Sequence, residues 1–241
     1  MKVIITDCDH ESIDIEKKVF QEAGIEVELK QAVTEDEVIR QCQGAEVFIV
    51  QYAKITEKVM ENCPQLKYVV RYGVGVDTID LEAATRHGIQ VGNVPDYGMN
   101  EVADHAIALA LTLVRKVEMM NAYTKTQCWD YVKAIPIHRF SEMTVGVIGL
   151  GRIGRNFAKK MHALGFQVIG TDPYFQETEE TREYVRGTDL EKVLRTSDLI
   201  SLHCPADGNQ NLFDGTAFQK MKNTAVLINV ARGGILSLIH I

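Results

Sequence analysis

The chain has 241 residues, of which 46% are hydrophobic and 24% are charged, so it is long enough to bury a core and has the composition of a folded protein. Its net charge of −7 argues against a sequence-independent grip on nucleic acid, and its longest nearly apolar stretch, residues 102–114, is too short to span a bilayer. Five scattered cysteines favour free thiols over disulfides or a metal site, and no secretory signal is present, so we expect a cytoplasmic protein.

Within residues 1–98, apolar runs alternate with segments of helical periodicity. Strands are predicted over residues 3–5, 25–29, 45–50 and 66–71. Helices are predicted over residues 12–23, 35–43 and 57–62. Strands that alternate with helices form a parallel sheet covered on both faces, so the pattern predicts an α/β fold.

The second half of the chain repeats this alternation after a predicted domain boundary near residues 95–100. A long helix, capped by Asp96 or Asn100, is predicted to run to about Val117, and its apolar segment 106–114 is expected to be buried between layers. A polar stretch over residues 125–142 follows. Strands are then predicted over residues 144–149, 167–171, 198–203 and 225–230, and helices over residues 153–164 and 190–196.

The strongest local signal is a glycine-rich turn between a predicted strand and a predicted helix. Gly149, Gly151 and Gly154 have the spacing Gly-x-Gly-x-x-Gly, and Asp172 closes the next strand 23 positions after Gly149. A strand, such a turn, a helix and a following acid form the fingerprint of dinucleotide binding. A tight turn without a ligand is the weaker interpretation.

Each position of this turn has a chemical reason. Gly149 permits the tight turn, Gly151 lets a pyrophosphate approach the backbone, and Gly154 lets the helix pack on the strand. The N-terminus of the helix offers free N–H groups to the phosphates. Asp172 can accept hydrogen bonds from ribose hydroxyls and would repel a 2′-phosphate, so NAD is favoured over NADP as the cofactor.

Three further motifs follow predicted strands and are weaker alone. Residues 71–77, RYGVGVD, can expose backbone N–H groups to a small anion, although an ordinary turn explains them equally well. Residues 202–205, LHCP, end a strand at the sheet edge where such folds bind ligands, although His203 alone is more often structural. Residues 229–234, NVARGG, place Arg232 where it could hold a carboxylate with two hydrogen bonds, although a solvated arginine is the simpler explanation.

Together and in order, these segments resemble the D-isomer-specific 2-hydroxyacid dehydrogenases, in particular phosphoglycerate dehydrogenases and C-terminal-binding-protein-like members. The resemblance rests on RYGVGVDTIDLEAA, GIQVGNVPDYGMNEVADHAIALAL, TVGVIGLGRIGR, TDP, LISLHCP and LINVARGG. It implies two doubly wound parallel sheets, a flavodoxin-like substrate domain over residues 1–98 and a Rossmann NAD-binding domain over residues 99–241, with the active site between them. It also implies a homodimer that transfers a hydride between NAD(H) and a small 2-hydroxy or 2-keto acid.

The resemblance assigns roles to individual residues as well. Arg232 matches the catalytic arginine, which holds the substrate carboxylate and polarises the C2 oxygen. The backbone of Val74 and Gly75 matches the loop that binds the same carboxylate. The positions implied for the cofactor are Gly149, Gly151, Arg152, Ile153, Gly154, Asp172, Cys204, Pro205, Val230 and Ala231.

This sequence departs from the family pattern near its C-terminal end. The family's catalytic histidine and the glutamate that holds it match no residue here, and His240 lies only eight positions after Arg232, too close to serve. At least one strand of the six-stranded sheet is also unmatched, so the NAD-binding domain is expected to be incomplete. The closing residues LSLIHI resemble a frameshift or an assembly join. We therefore predict a catalytically incomplete fragment that turns over no 2-keto acid.

Two other classes of function remain open. The similarity to C-terminal-binding-protein-like members allows a non-enzymatic, NAD(H)-sensing corepressor-like protein, which would need a peptide-docking groove on the first domain. A receiver-type signalling module would explain Asp7 and Asp9 after the first strand. The third strand, however, is followed by residues 51–54, QYAK, without the acid that such a module phosphorylates.

Overall fold

A computed structural model of the chain describes residues 1–240 as two units, each built on its own parallel sheet. Unit 1 is Met1–Gly98 and unit 2 is Met99–Ile241. Within the described residues, no helix is long and apolar enough to cross a membrane.

Unit 1 contains a five-stranded parallel sheet in the order β2-β1-β3-β4-β5. Its strands are β1 (Val3–Ile5), β2 (Val27–Leu29), β3 (Val47–Val50), β4 (Tyr68–Arg71) and β5 (Gln90–Gly92). Its helices are α1 (Asp14–Glu22), α2 (Glu35–Gln41), α3 (Glu57–Asn62) and α4 (Leu81–Arg86). This strand order is that of the flavodoxin-like folds.

Both faces of this sheet are covered. Ile4 and Phe48 pack into one core, whereas their neighbours Ile5 and Ile49 pack into a second core. Since successive side chains of a strand point to opposite faces, the two cores lie on opposite sides of the sheet. This double burial explains why β3 is an uninterrupted apolar run.

Unit 2 contains a second five-stranded parallel sheet in the order β10-β9-β6-β7-β8, which is the Rossmann arrangement. Its strands are β6 (Thr144–Ile148), β7 (Gln167–Thr171), β8 (Arg186–Gly187), β9 (Leu199–Leu202) and β10 (Val226–Asn229). Its helices are α5 (Met99–Val114), α6 (Val117–Lys125), α7 (Arg152–Ala163), α8 (Glu179–Arg182), α9 (Leu190–Thr196) and α10 (Gly215–Lys220). Short 3-10 helices are Tyr131–Ala134, Phe140–Glu142, Gly233–Ile235 and Leu238–His240. The predicted fold class of two doubly wound parallel sheets is confirmed.

Helix α5 forms the predicted long helix but ends three residues before the predicted end near Val117, and no sequence pattern predicts the separate helix α6 that follows. Helix α5 ends at Val114, and Lys116 adopts a left-handed backbone with φ 53° before α6 begins at Val117. The predicted burial of the apolar segment 106–114 is wrong for one side of the helix, because Leu109 and Leu113 are 37% and 45% exposed. Ala103, Ala106 and Ala110 are the fully buried residues of α5. Ile107, Leu111 and Val114 are partly buried and pack against the same core.

Five short elements were missed by the sequence patterns: α4, β5, α8, β8 and α10. None is longer than six residues, so none contains enough repeats for its periodicity to be recognised in the sequence. Capping residues carried a usable signal for all three helices among them, and the side chain of Thr178 accepts the N–H of Thr181 at the start of α8. The side chain of Asp80 accepts the N–H of Ala83 at the start of α4, and that of Asp214 accepts the N–H of Ala217 in α10.

Asp7 holds together the loops that follow β1 and β3. Its buried carboxylate accepts the backbone N–H groups of Gln51, Tyr52 and Ala53 at 3.2, 2.6 and 3.2 Å. Asp9 lies at the exposed rim, where it accepts from the Gln51 amide and the Tyr52 hydroxyl. The acidic pair therefore has a structural role in the loop after β3.

All five cysteines are free thiols. Cys8, Cys42, Cys63 and Cys204 are buried, and Cys128 is partly exposed. Burial, with a smaller effect of the neighbouring Cys63 thiol, raises the pKa of the Cys42 thiol to about 11. Burial also raises the pKa of Cys63 and of Cys204.

Candidate functional site

The glycine-rich turn joins β6 to α7 and is shaped by backbone contact. Gly149 has φ +91°, which favours glycine, and a Cβ there would lie 2.6 Å from the backbone nitrogen of Cys204. A Cβ on Gly154 would lie 1.9 Å from the carbonyl oxygen of Gly149. Around Gly151, in contrast, no described residue beyond its chain neighbours lies within 4 Å of the Cβ position. The first and third glycines thus serve packing, and the second leaves one side of the turn open.

Asp172 follows β7 and is fixed by the same turn. One of its carboxylate oxygens accepts the N–H of Leu150 at 2.9 Å, and the other accepts the N–H of Tyr174 at 2.8 Å. A carboxylate oxygen has two lone pairs, so each oxygen keeps one acceptor site. The residue is therefore held in place with acceptor capacity suited to two neighbouring hydroxyls of a ribose.

The first turn of α7 has the charge pattern of an anion site. Its N-cap is Gly151, which supplies no side-chain capping bond, and its first turn contains no acidic residue. Arg152 and Arg155 instead lie at this end, where the helix dipole is positive. The helix dipole and both cations would favour an anion bound at this end, and the pyrophosphate of NAD is such an anion.

His203 follows β9 and lies beneath the turn. Its backbone N–H donates to the carbonyl oxygen of Ile148 at 2.7 Å. Its ring centroid lies 5.0 Å from that of Phe157, and its Nε2 lies 2.9 Å from the Ser201 hydroxyl oxygen. Its Nδ1 is buried without a hydrogen-bond partner among residues 1–240. Burial lowers the pKa of His203 to about 4, so the ring is neutral at pH 7. Cys204 and Pro205 continue from it along the same loop.

Arg232 lies beyond β10 on an exposed loop. Strand β10 pairs with β9 and β9 pairs with β6, all in parallel. The carboxyl ends of parallel strands meet at the same edge of a sheet, so the glycine turn, residues 203–205 and residues 230–232 share one edge of unit 2. That edge is where ligands bind in open α/β sheets. Val230 and Ala231 are half-buried there.

Val74 and Gly75 lie in unit 1, on the loop after β4. The Arg71 guanidinium covers this loop so closely that a Cβ on Gly73 would lie 1.7 Å from its Nη1. The Nε of Arg71 is buried and has no hydrogen-bond partner within the described part of the chain. Two bonds hold the loop through its carbonyl oxygens, from Val94 N–H to Gly73 at 3.0 Å and from the Asn93 side chain to Val74 at 2.7 Å.

The sequence did not single out Asn229, whose side chain bonds the backbone of the Arg232 loop. An asparagine at the last position of a buried strand is the only signal it gives, because such a residue often bonds the next few backbone groups. Among residues 1–240, no group of three or more His, Cys, Asp or Glu side chains could hold a metal ion.

Comparison with known proteins places the chain in a family. Residues 107–238 match the family model described as D-isomer specific 2-hydroxyacid dehydrogenase, NAD binding domain. The chain belongs to the D-isomer-specific 2-hydroxyacid dehydrogenases. The predicted family is thus confirmed, and the NAD-binding domain that the glycine turn indicated is confirmed with it.

Relatives carry several names within this family. The D-3-phosphoglycerate dehydrogenase of Methanocaldococcus jannaschii is 35% identical over 98% of this chain and 45% of its own length. The glycerate dehydrogenase of Methylorubrum extorquens is 30% identical over 95% of this chain and 72% of its own. The structure of D-lactate dehydrogenase from Aquifex aeolicus, complexed with NAD and lactic acid, matches with a TM-score of 0.90 and 28% identity over 99% of this chain and 72% of that one. The chain spans about half the length of the phosphoglycerate dehydrogenases that it matches, 45% in the first case.

The three glycines should separate into two classes on mutation. Gly149→Ala and Gly154→Ala are each expected to lower the free energy of unfolding by about 1–3 kcal/mol, because a methyl group would collide with backbone. Gly151→Ala, whose φ of −69° suits alanine, is expected to keep wild-type stability and to weaken NADH binding at least about tenfold. Urea unfolding and NADH fluorescence titration measure the two effects. Wild-type NADH affinity in Gly151→Ala would contradict the role of the open side of the turn.

The buried His203 should make stability depend on pH. In the unfolded chain the imidazole binds a proton near pH 6.5, whereas in the folded protein it does so only near pH 4. Stability is therefore present above pH 6.5 and is lost as the pH falls towards 4, by about 3 kcal/mol in total. His203→Gln is expected to remove this part of the pH dependence of urea unfolding, and replacement of the exposed His162 by Gln is expected to keep it. An unchanged pH slope in His203→Gln would show that the folded protein protonates the ring normally.

Proposed function

We propose that the protein transfers a hydride between NAD(H) and C2 of a small D-2-hydroxy or 2-keto acid. The observation that carries the proposal is the presence of the glycine turn, Asp172 and the Arg232 loop at one edge of the sheet in unit 2. The nicotinamide supplies or accepts the hydride when NAD is bound. The residues of the chain bind and orient the cofactor and the substrate, and they polarise the C2 carbonyl.

In this proposal, different residues bind different parts of the dinucleotide. Asp172 accepts the hydroxyls of the adenosine ribose, and Arg152 and Ile153 hold the pyrophosphate at the start of α7. Cys204 and Pro205 lie against the adenosine, while Val230 and Ala231 approach the nicotinamide. The support for this division is the open side of Gly151, the fixed carboxylate of Asp172 and the cationic first turn of α7.

Arg232 is the proposed catalytic residue. Its planar guanidinium can bind the carboxylate of the acid with two parallel hydrogen bonds. The same positive charge polarises the C2 carbonyl and stabilises the negative charge that develops on its oxygen as the hydride arrives. The backbone of Val74 and Gly75 is proposed as the second carboxylate-binding element, in unit 1.

The substrate class follows from Arg71 as well as from the relatives. The Arg71 guanidinium lies against the loop that contains Val74 and Gly75, where it could pair with a second anionic group on the acid. We therefore propose an acid that carries a second anionic group, as 3-phosphoglycerate does, rather than glycerate or lactate. The phosphoglycerate dehydrogenases among the relatives support this choice.

A homodimer is the proposed assembly. Exposed apolar side chains follow one another along α5, α6 and the segment after them, and we call this set the α5–α6 apolar surface. Its members are Leu109, Leu113, Val117, Tyr123, Trp129, Tyr131, Val132, Ile135 and Ile137. Helix α6 packs against α5, and the 3-10 helix Tyr131–Ala134 packs against α6, so these residues follow a continuous stretch of structure. Large exposed apolar patches mark interaction sites in folded proteins.

Binding and turnover test the activity separately. NADH is expected to bind, and oxamate, an unreactive analogue of a 2-keto acid, is expected to bind the NADH complex. Arg232→Lys should keep NADH affinity and lose at least about tenfold in oxamate affinity, because lysine cannot form the paired bonds. Fluorescence titration measures both constants. A protein that binds no NADH, or an Arg232→Lys variant that binds oxamate normally, would refute the proposal.

The turnover arm uses the absorbance of NADH with pyruvate, hydroxypyruvate and 3-phosphohydroxypyruvate. Turnover that is lost in Arg232→Lys would support the proposed activity directly. Binding of NADH without any response to oxamate would favour the NAD(H)-sensing alternative.

Sedimentation tests the dimer. Wild-type protein is expected to sediment as a dimer, and Leu113→Glu is expected to sediment as a monomer because a charge would be buried at the interface. Ile15→Glu is the matched control, since Ile15 is 79% exposed on α1 of unit 1. A dimeric Leu113→Glu would place the dimer contact elsewhere on the protein. A monomeric wild-type protein would refute the proposed dimer.

A further inference from the structure

The side chain of Asn229 forms hydrogen bonds with the backbone of Ala231 and of Arg232. The conformation of this backbone determines where the Arg232 side chain points. The Nδ2 of Asn229 donates to the carbonyl oxygen of Arg232 at 2.8 Å, and its Oδ1 accepts the N–H of Ala231 at 3.0 Å. Asn229 is the last residue of β10, so its own backbone is held by the sheet. One amide thus connects a rigid strand to the loop that follows it.

The far side of this loop is also anchored. The carbonyl oxygen of Arg232 accepts a second hydrogen bond, from the N–H of Ile235 at 3.2 Å. Ile235 is fully buried in the same core as Phe213, and its carbonyl oxygen accepts the N–H of Phe213 at 3.1 Å. The backbone of Arg232 is therefore fixed from both directions, by Asn229 before it and by Ile235 after it.

Packing alone does not hold the middle of the loop. Arg232, Gly233 and Gly234 are exposed, and among residues 1–240 nothing beyond the chain neighbours lies within 4 Å of the Cβ positions of the two glycines. The carbonyl oxygens of these glycines accept the N–H groups of Leu236 and Asn211. The guanidinium of Arg232 also donates to the carbonyl oxygen of Ala231 at 3.0 Å, so the direction of the side chain depends on that peptide group. The two bonds from Asn229 act on this peptide segment directly.

The residue type at position 229 is restricted by this geometry. The loop requires a donor and an acceptor on one short side chain, and a carboxamide of this length supplies both. Aspartate has the same shape but cannot donate, and its charge would face the Arg232 carbonyl oxygen. Alanine removes both bonds.

We propose that Asn229 is a positioning residue that presents Arg232 to the carboxylate of the substrate. The inference rests on the proposed function for the part that concerns the substrate, and on the loop geometry alone for the part that concerns the backbone. Loss of the Asn229 bonds removes the anchor on the strand side of the loop and leaves only the bonds on its far side, from Ile235 and Asn211. The guanidinium then spends less time in the orientation that binds a planar carboxylate.

Trypsin measures the backbone part without any ligand, since it cleaves after Arg232 only when the loop opens. Two hydrogen bonds of ordinary strength predict that Asn229→Ala raises the cleavage rate at Arg232 by about fivefold or more, measured by mass spectrometry of the products. Asn229→Asp, which keeps the shape of the side chain, should show a rise as well. Asn62→Ala is the control, because it removes a side-chain bond to the Lys58 carbonyl oxygen in unit 1. Equal cleavage of Asn229→Ala, Asn229→Asp and wild type would overturn the inference.

Oxamate measures the substrate part. Asn229→Ala and Asn229→Asp are expected to lose about fivefold or more in oxamate affinity while NADH affinity stays within about twofold, and thermal unfolding verifies that each variant is folded. In an Arg232→Ala background the same Asn229 replacement should have no further effect, since a residue that acts through Arg232 is silent without it. An equal loss in both backgrounds would show that Asn229 acts on the fold instead. Failure of wild type to bind oxamate would refute the proposed function, while faster cleavage would still support the anchoring of the loop.

Discussion

A β-carbon at position 154 would sit 1.9 Å from the carbonyl oxygen of Gly149, so α7 can approach the end of β6 only because this residue has no side chain. The same approach brings the backbone of Gly149 against that of Cys204, at the end of β9. Helix, turn and neighbouring strand are therefore in contact backbone to backbone. Because of this contact, α7 begins directly after Gly151, on the open side of the turn. The contact also lets Asp172 accept the N–H of Leu150.

Parallel strand order brings the remaining groups to that place. Strands β7, β6, β9 and β10 are neighbours in the sheet, and each is followed by one of the candidate segments. Segments more than 50 residues apart in sequence, such as those containing Gly149 and Arg232, therefore end at a common edge. The charges there differ in sign, with Asp172 at one end of the row and Arg232 at the other. This polarity matches a dinucleotide whose ribose needs an acceptor and a substrate acid that needs a cation.

The parts that could be predicted from the sequence are those with a local cause. Buried strands are apolar runs, and the glycine turn has a fixed spacing, so the two sheets, the NAD cofactor and the position of Asp172 directly after β7 could be inferred from residues near one another. The break at Lys116 could not, because a left-handed lysine has no sequence signature such as glycine provides. The bonds from Asn229 to Ala231 and Arg232 could not either, since they depend on how the loop turns back on the strand. The exposure of Leu109 and Leu113 depends on which face of α5 the rest of unit 2 covers.

The distribution of cysteines has a practical consequence for labelling. Alkylating reagents react with exposed thiolates, and Cys8, Cys42, Cys63 and Cys204 are buried in the folded chain. Cys128 is the one that is partly exposed, and it directly precedes Trp129, whose side chain is 90% exposed on the α5–α6 apolar surface. A maleimide dye would therefore attach to the wild-type protein mainly at one position. The native chain thus offers a single-site fluorescent reporter beside that surface, and no cysteine needs to be removed or introduced to obtain it.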